Sequence, residues 1–415
     1  MINFKTITQN KLIQNFSYLV LIDIFQKILP FITIPYIVSI VGLEKFGTIT
    51  FSYAVMAYFQ LLVDFGFNTV ATKDISLNYQ DKYKYSEIFW SIIFSKLLMF
   101  IVSSFILLSL LVTFEFFSLH KFVYIYAMGL VISSFLFPIW FFQGVEDMKY
   151  IAIFTAFGRI LYTISIFLFL KSSNDYLLIP LFNSISLVLI SLISFLFVLK
   201  KYNIIFNIPS QNEIKYYFEE GWHLFLSSVT TNLYTTTNTI LLGSLTNFTT
   251  VGIYSLAATI SGAATQLIGQ FNKVIYPHLS KFSENKDKLV YETKKYLKKY
   301  LITLIGLSII IIIFANVMIM ILFGENHYAS VLVLQVLGFT LTLASLGGFY
   351  TRYMIIQRKQ RKVLKITTYT MVLNFILIVP LILLFGALGV AITKLIVESY
   401  QVFLNVRANK ELNLV

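Results

Sequence analysis

Charged side chains occur inside stretches of this sequence that are otherwise apolar enough for a lipid bilayer. In residues 19–38, LVLIDIFQKILPFITIPYIV, Asp23 and Lys27 lie one helical turn apart. A charge at the centre of a bilayer costs about 2.5–3.5 kcal/mol on insertion scales, so such residues face protein or a water-filled cavity. An acidic residue four positions before a basic one is also the favourable order for an ion pair along a helix. The two side chains therefore either neutralise each other or contribute to a polar path.

Lys96 and Arg159 are isolated cations in later apolar stretches. Lys96 lies about ten residues from the inner end of its stretch, so its long side chain could still extend to the membrane surface. Arg159 is equally deep and has no acidic residue within one helical turn. Because it cannot lose its proton, Arg159 requires a partner or water. Both residues are candidates for lining a hydrated interior.

A row of polar residues near the end of the chain has helical spacing. Lys394, Glu398, Gln401 and Asn405 follow one another at intervals of four, three and four positions. Such intervals place all four side chains on one face of a helix. Lys394 and Glu398 have the same two interpretations as the first pair, a self-contained ion pair or a contribution to a polar path.

The sequence SSVTTNLYTTTNT at 227–239 is too rich in hydroxyl and amide groups to face lipid on all sides. Thr231, Asn232 and Asn238 are its candidates for contacting a transported molecule. Hydroxyl side chains in membrane helices often only bond one helix to another, which is the alternative for each residue. Because several stretches carry a polar face, we expect a hydrated cavity inside the bundle.

The overall composition excludes a soluble globular protein. Hydrophobic residues make up 58% of the chain and charged residues 12%, against about 25% charged residues in ordinary soluble domains. With no cysteine, disulfides, thiolate chemistry and Cys-rich metal sites are excluded, and we predict no metal site and no cofactor. The P-loop pattern GxxxxGK[ST] is absent, which argues against direct use of ATP.

Apolar runs of the length needed to cross a bilayer, about 20 residues, recur along the whole chain. We predict an all-α integral membrane protein with twelve transmembrane helices. Their approximate ranges are 14–42, 47–70, 87–114, 120–143, 149–171, 176–200, 217–244, 250–277, 295–323, 327–355, 362–385 and 387–409.

Basic residues are distributed unevenly between the two sides of the predicted membrane. When alternate connections are assigned to opposite sides, 25 of the 32 Lys and Arg residues fall on one side and three on the other. Because cytoplasmic connections are enriched in Lys and Arg, we predict that both termini are cytoplasmic. The formal charge of +13 is therefore mostly a feature of topology and does not indicate a nucleic-acid partner.

The connection KYNIIFNIPSQNEIKY at 201–216 divides the predicted spans six and six. Its Pro209, flanked by Asn and Ser, is typical of a linker. We therefore predict an N-terminal lobe at 1–203 and a C-terminal lobe at 204–415 that includes the linker at about 204–216. Parallel six-span halves are common in transporters.

Four stretches resemble the recurring motifs of bacterial O-antigen flippases of the Wzx or RfbX type. They are ILPFITIPYIVSIVGLEKFGTITFS at 28–52, VDFGFNTVATKDIS at 63–76, FPIWFFQGVEDMKYIAIFTAFGRI at 137–160 and VIYPHLSKF at 274–282. The resemblance covers the first 160 residues well and the second half sparsely. The resemblance implies membership of the multidrug/oligosaccharidyl-lipid/polysaccharide exporter superfamily, to which these flippases belong.

The resemblance implies two six-helix lobes around a central V-shaped cavity that opens alternately to each side. It also implies a cargo, an undecaprenyl-pyrophosphate-linked oligosaccharide of the lipopolysaccharide O-antigen, and a location in the bacterial inner membrane. A monomer working beside a polysaccharide polymerase and a chain-length regulator, with proton or Na⁺ antiport, would be expected. Asp23 and Glu398 are the candidate ion carriers, and they would also neutralise the cations that such a lumen needs.

Gate or hinge positions follow partly from the residues and partly from the resemblance. Pro30 and Pro35 interrupt the hydrogen bonding of the first span. Asp64 and Gly66 fall on the second motif and Gly144 on the third. Glycine ends helices in backbone conformations that other residues avoid, so Gly66 and Gly144 are either hinges or plain caps.

Two other functions are compatible with parts of this pattern. A cation-coupled drug exporter of the same superfamily would be expected to use uncompensated carboxylates in its lumen. A membrane polysaccharide polymerase or glycosyltransferase would be expected to carry a sizeable external loop with catalytic residues. The outer connections here, such as GLEKFG and FGALG, are all short, which favours a transporter over an enzyme.

Overall fold

The computed structural model describes residues 11–282, 285–324 and 327–410. Side chains are described from position 29 onward, apart from positions 231, 234, 235, 270, 272–274, 277, 286 and 410. Nearly all of these residues are helical, and the described part of the chain contains no β-strand.

Sixteen α-helices and one 3₁₀ turn follow one another in the described ranges. In chain order the helices are α1 (Lys11–Asp64), α2 (Phe67–Asn78), α3 (Lys82–Thr113), α4 (Glu115–Ser118), α5 (Lys121–Ala127), α6 (Gly129–Leu136), α7 (Ile139–Gly144), α8 (Met148–Phe169), α9 (Leu178–Lys201), α10 (Gln211–Thr235), α11 (Thr237–Leu245), α12 (Phe248–Ser280), α13 (Lys286–Phe323), α14 (Tyr328–Ile356), α15 (Gln360–Phe385) and α16 (Ala387–Lys410).

Ten segments of the described chain are long and apolar enough to cross a membrane. One of them, Leu29–Asn78, includes the break at Gly42 (φ 77°), which lies where the first predicted span ends. Helix α10 is not among the ten, in keeping with its many polar residues. The protein is thus an all-α, multi-pass membrane protein, and the count of twelve spans stays a prediction.

The exposed surface of the helices is apolar, as expected for contact with lipid. In α8 the residues Ile153, Phe157 and Ile160 are exposed, Phe157 to 64%. Gly158 and Tyr162, on the other side of the same helix, are buried. This arrangement is the reverse of a water-soluble helix, because hydrocarbon can solvate large apolar side chains but not polar ones.

Two predicted spans differ from the observed helices for identifiable reasons. The span predicted at 47–70 ends at Asp64, because Phe65 (φ 42°) and Gly66 (φ 81°) form a left-handed turn before α2. The span predicted at 120–143 consists of three helices, α5 to α7. Its second break falls at Pro138, as expected because the residue before proline avoids the helical conformation.

The chain divides into two compact units. Unit 1 comprises the chain up to Gly42 and Thr48–Thr237, and unit 2 comprises Leu43–Gly47 and the chain from Asn238 onward. Helix α10, which follows the predicted linker, therefore belongs to unit 1. The lobe boundary at 203–204 remains a prediction.

A cluster of aromatic side chains forms the core of unit 1 at the level of α2 and α7. Trp140 and Phe141 are fully buried against Phe89 of α3. The Thr72 hydroxyl lies 3.3 Å from the Trp140 carbonyl oxygen, to which it donates. These contacts join two of the motif stretches, 63–76 and 137–160, and so hold α2 against α7.

Gly144 ends α7 without the positive φ expected of a glycine cap. We expected it to supply a backbone conformation closed to other residues, but the positive φ of 58° belongs to Glu146. Gly144 is instead needed for space, since a Cβ there would lie 2.6 Å from the Cβ of Ile75. It is a close-packing residue between α7 and α2.

Asp147, directly before α8, connects the start of α8 to the end of α9. The Tyr202 hydroxyl donates to Asp147 Oδ2 (2.6 Å), and Lys201 Nζ lies 3.0 Å from the same oxygen. Burial alone would raise the pKa of Asp147, but the hydrogen bonds from Tyr202 and Lys201 outweigh it, so this pKa is lowered. The carboxylate therefore stays ionised as an anchor at this end of unit 1.

Candidate functional site

Unit 1 contains a cavity of about 560 Å³ with a partly polar lining. Six of its helices contribute polar side chains to the wall. These side chains are Gln60 and Asp64 of α1, Asn68 of α2, Ser133 and Ser134 of α6, Thr155 of α8, Ser191 of α9 and Asn232 of α10. Phe137 and Phe154 add aromatic surface. A cavity of this size lies within the range of small-molecule binding sites, about 300–1,000 Å³.

Lys96 is held directly behind this lining by three groups. Its Nζ donates to Asn68 Oδ1 (2.8 Å) and to the main-chain oxygen of Ser134 (3.2 Å). The same nitrogen lies 3.9 Å from Asp64 Oδ1. Lys96 is 1% exposed and the Asp64 side chain 34% exposed. The cation is therefore satisfied inside the protein, while part of the carboxylate remains open to the cavity.

The position of Lys96 excludes one of its two interpretations. It is fourteen residues into α3, or about 21 Å along the axis at 1.5 Å per residue. With its amino group bonded to α2 and α6, Lys96 does not extend to the membrane surface. The structure thus brings together Lys96 and Asp64, which we had assigned separately to the lumen and to a gate.

Gln60 and Ser134 belong to the same network but were not among the predicted site residues. Gln60 Nε2 donates to the Ser134 hydroxyl (3.0 Å) and to the Leu130 carbonyl oxygen (3.1 Å). A signal for Gln60 was present in the sequence, because Gln60, Asp64 and Asn68 recur at intervals of four. The serine could not have been singled out, since its partners come from distant parts of the chain.

Asn232 brings α10 to the cavity. Its main-chain oxygen accepts a hydrogen bond from the Tyr58 hydroxyl (3.2 Å), and its Nδ2 donates to the Ser228 carbonyl oxygen (3.0 Å). Tyr58 also hydrogen-bonds to the hydroxyl of Thr237. The side chain of its predicted companion Thr231 lies outside the described residues.

Arg159 is half-buried on α8 next to the cavity residue Gly158. The phenol groups of Tyr53 and Tyr162 are close enough to interact with it electrostatically. Among the described side chains, none forms an ion pair or hydrogen bond with Arg159. Asp23 and Lys27, the charges of the first span, have side chains outside the described residues, so their partners remain predictions.

The polar row of α16 faces protein within unit 2. Glu398 and Asn405 are buried, while Lys394 and Gln401 are half-buried. Asn405 Nδ2 donates to the Gly347 carbonyl oxygen of α14 (3.2 Å). The row is thus packed against a neighbouring helix and does not point into lipid.

Asn238 forms a reciprocal amide pair with Asn374 in unit 2. Asn238 Nδ2 donates to Asn374 Oδ1 (3.4 Å), and Asn374 Nδ2 donates to Asn238 Oδ1 (3.2 Å). Both side chains are buried. The pair joins α11 to α15, which is the helix-to-helix role that we had weighed against substrate contact.

Helix α10 packs directly against the turn at Gly66. A Cβ on Gly66 would lie 2.7 Å from the Gly221 carbonyl oxygen, so the two backbones touch. Beside them Phe65 stacks on Phe225 with ring centroids 4.5 Å apart and also contacts Trp222. These aromatic residues were not predicted, because nothing in their local sequence pairs 65 with 222–225.

The remaining hinge candidates lie in α1. The helix continues through both Pro30 and Pro35. Thr33 lies between them, and its hydroxyl donates to the Leu29 carbonyl oxygen (3.1 Å). In the described ranges, no group of three or more His, Cys, Asp or Glu side chains is placed to hold a metal ion.

The sequence matches a protein-family model and two known proteins. Residues 12–283 match the model described as "Polysaccharide biosynthesis protein". A protein of Escherichia coli (strain K12) named "Putative O-antigen transporter" is 29% identical over 389 residues, 93% of each chain. A protein of the same name from Shigella dysenteriae is 26% identical over 96% of this chain and 100% of its own.

Solved structures share the fold at low sequence identity. A structure titled "Lipid II flippase MurJ, inward closed conformation" superposes with a TM-score of 0.72 at 15% identity, covering 95% of this chain and 87% of its own. An inward-facing multidrug resistance MATE family transporter of the MOP superfamily gives a TM-score of 0.66 at 15% identity, covering 96% and 95%. The fold is therefore the two-lobe, all-α membrane fold of these transporters.

Proposed function

The chain belongs to the polysaccharide biosynthesis protein family, and from this premise we propose that it flips lipid-linked O-antigen repeat units across the membrane. It is a multi-pass membrane transporter and not an enzyme. The proposed cargo is an oligosaccharide attached through pyrophosphate to undecaprenol. It moves from the cytoplasmic to the periplasmic leaflet of the bacterial inner membrane, in which both termini are cytoplasmic.

The observation that carries this proposal is a polar cavity inside a bundle whose outer surface is apolar. Moving a sugar through hydrocarbon would strip each hydroxyl of its hydrogen bonds, at a cost of several kilocalories per group. The amide, hydroxyl and carboxylate groups of unit 1, with the carboxamides of Gln60, Asn68 and Asn232 among them, replace those bonds. The apolar outer surface, which includes lipid-facing residues such as Phe157, allows the polyprenyl tail to remain in the bilayer.

The proposed transport cycle is alternating access. Two lobes around a central V-shaped cavity would rock against each other and expose the cargo first to the cytoplasm and then to the periplasm. Pro30 and Pro35 would provide bending within the first span, and the turn formed by Asp64 and Gly66 would bend at the inner end. The close-packing role of Gly144 makes it a fixed point in this scheme.

Coupling to a proton or Na⁺ gradient would supply the energy, with no cofactor. Asp23 and Glu398 are the carboxylates proposed for this step, because each precedes or follows a lysine within one helical turn. A monomer would suffice for transport, and membrane lipid surrounds it. A polysaccharide polymerase and a chain-length regulator are the proposed partners, since both act on the flipped repeat unit.

The test of this function is to delete the gene in a bacterium that makes the polymer and to locate the lipid-linked repeat units. The proposal expects them to accumulate on the cytoplasmic leaflet. Normal translocation with unpolymerised units outside would instead identify a polymerase. Unchanged polymer with increased sensitivity to cationic drugs would identify a drug exporter of the same superfamily.

Replacing Arg159 by Ala is expected to reduce surface polymer at unchanged protein abundance. Losing one hydrogen bond between the charged Arg159 side chain and the cargo would cost about 1.5–3 kcal/mol, which corresponds to a transport rate about tenfold lower or more. Surface polymer quantified against protein level measures the effect. Arg159→Lys, which keeps the charge but loses the planar fork, should retain more transport than Arg159→Ala. Full polymer in both variants would contradict a role for Arg159 in the lumen.

A further inference from the structure

The cavity of unit 1 combines aromatic surface with polar groups that are free to bind. Phe154 is held in place by Phe142 (ring centroids 6.1 Å apart) and Phe197 (5.5 Å). Phe137 lies in the same lining. A pyranose ring has one face of C–H groups and an edge of hydroxyls, so it needs both kinds of surface.

The polar groups of the lining offer donors and acceptors in defined directions. Asn68, a lining residue, uses its Oδ1 to accept from Lys96, which leaves its amide N–H groups as donors. Gln60 uses its Nε2 for Leu130 and Ser134, which leaves Oε1 as an acceptor. These orientations are fixed by the protein's own hydrogen bonds and do not depend on a ligand.

The charge of the lining is negative. Asp64 is the one ionisable residue in the wall of this cavity among the described side chains, and 34% of its side chain is exposed. Lys96 lies behind it, 1% exposed and bonded to three groups, so it presents no cationic surface to the cavity. Arg159 lies next to the lining residue Gly158 but is not part of the lining itself, so Asp64 is the charge that a bound sugar meets. A carboxylate in this position accepts hydroxyl donors and repels anions.

From these observations we propose that this cavity is a subsite for an uncharged sugar ring, neutral or N-acetylated, and that it rejects uronic acids and pyrophosphate. The inference rests on the proposed flippase function and adds the chemical class of the sugar. Asp64 binds sugar hydroxyls directly, Gln60 and Asn68 complete the polar edge, and Phe154 contacts the apolar face. Lys96 is a positioning residue that acts through Asn68.

The test uses the full chain in proteoliposomes and two lipid-linked probes. Both carry undecaprenyl pyrophosphate, one with N-acetylglucosamine and the other with glucuronic acid as the sugar. Wild-type protein is expected to flip the N-acetylglucosamine probe at least about tenfold faster, because repulsion of the acidic sugar by about 1.4 kcal/mol in the transition state already gives a factor of ten in rate. Asp64→Asn should remove most of this preference by accelerating the glucuronic acid probe.

Two further variants separate the possible outcomes. Glu115→Gln makes the same charge change at an exposed position of α4 and should leave the preference intact. Phe154→Leu should slow the N-acetylglucosamine probe several-fold while the Asp64-dependent rejection of the acidic probe persists, and it keeps the test decisive if Asp64→Asn fails to fold.

The result also distinguishes this inference from the function beneath it. If wild-type protein flips neither probe nor the native repeat unit, the proposed function fails. If it flips both probes at similar rates and neither Asp64→Asn nor Phe154→Leu changes their ratio or rates, the function stands and the uncharged-sugar subsite is wrong.

Discussion

Replacing Lys96 by Met is expected to give the largest loss of stability and transport of any single change in unit 1. Methionine fills a similar volume but donates no hydrogen bond. The acceptors Asn68 Oδ1 and Ser134 O belong to half-buried residues and would each lose their donor, at a cost of up to about 1–3 kcal/mol per unsatisfied group. Asp64 would lose its counter-ion as well. The hydrogen bonds that orient the polar side chains of the cavity lining would therefore be lost.

Thermal unfolding in detergent and the amount of surface polymer measure this effect. Lys82→Met is the matched control, because Lys82 lies on the same helix but is exposed, and it should change neither quantity. Adding Asn68→Leu to Lys96→Met should recover part of the stability, since removing both partners leaves fewer orphaned groups. It should not recover transport. A normal melting temperature for Lys96→Met alone would show that the network is dispensable.

Gly66→Ala is expected to have the second largest effect, through sterics alone. The methyl group would lie 2.7 Å from both the Gly221 carbonyl oxygen and the Leu224 Cβ. Real Cβ atoms do not approach other atoms that closely, so α10 would have to move away. The left-handed backbone at Gly66 (φ 81°) adds about 1–2 kcal/mol for any residue with a side chain. The packing of α10 against the turn at Asp64 and Gly66 would be lost.

The same crossing can be tested from its other side. Gly221→Ala places a methyl group 2.6 Å from the Phe65 carbonyl oxygen and should reproduce the defect. Gly306→Ala is the control, because no atom lies within 4 Å of a Cβ there. In the helical α13 it should be neutral or slightly stabilising. The measurements are the protease sensitivity of α10 and the amount of surface polymer. Wild-type values for both Gly66→Ala and Gly221→Ala would show that this packing is not needed.

Helix positions were predictable wherever apolar run length alone decides them. Helices α15 and α16 lie within two residues of the spans predicted at 362–385 and 387–409, because a bilayer requires a fixed length of apolar helix. The span predicted at 47–70 runs past the turn at Phe65 and Gly66, although Gly66 was among the predicted hinge or cap positions, because apolar run length does not show where a helix breaks. The packing of Gly66 against Gly221 could not be predicted, because the two residues are distant in sequence.

The candidate site was predictable as a set of residue types but not as a set of partners. The cost of burying the charge of Lys96 indicated that it needs hydrogen-bond or ion-pair partners. No acidic residue lies within one helical turn of it in the sequence. Its partners, Asp64, Asn68 and Ser134, come from three other helices. Asn238 was chosen from a stretch rich in hydroxyl and amide groups and Glu398 from a polar row. Asn238 forms an amide pair with Asn374, whereas Glu398 is buried on its helix, and neither outcome could be read from the sequence.

We propose that this chain carries lipid-linked sugar from one leaflet to the other through a polar interior. The most direct measurement places the purified full chain in liposomes with labelled undecaprenyl-pyrophosphate-linked oligosaccharide. A reagent that cannot cross membranes then reports which label is accessible. The account predicts that label in both leaflets becomes accessible with wild-type protein and only label in the outer leaflet with Lys96→Met. Label confined to the outer leaflet with wild-type protein would contradict it.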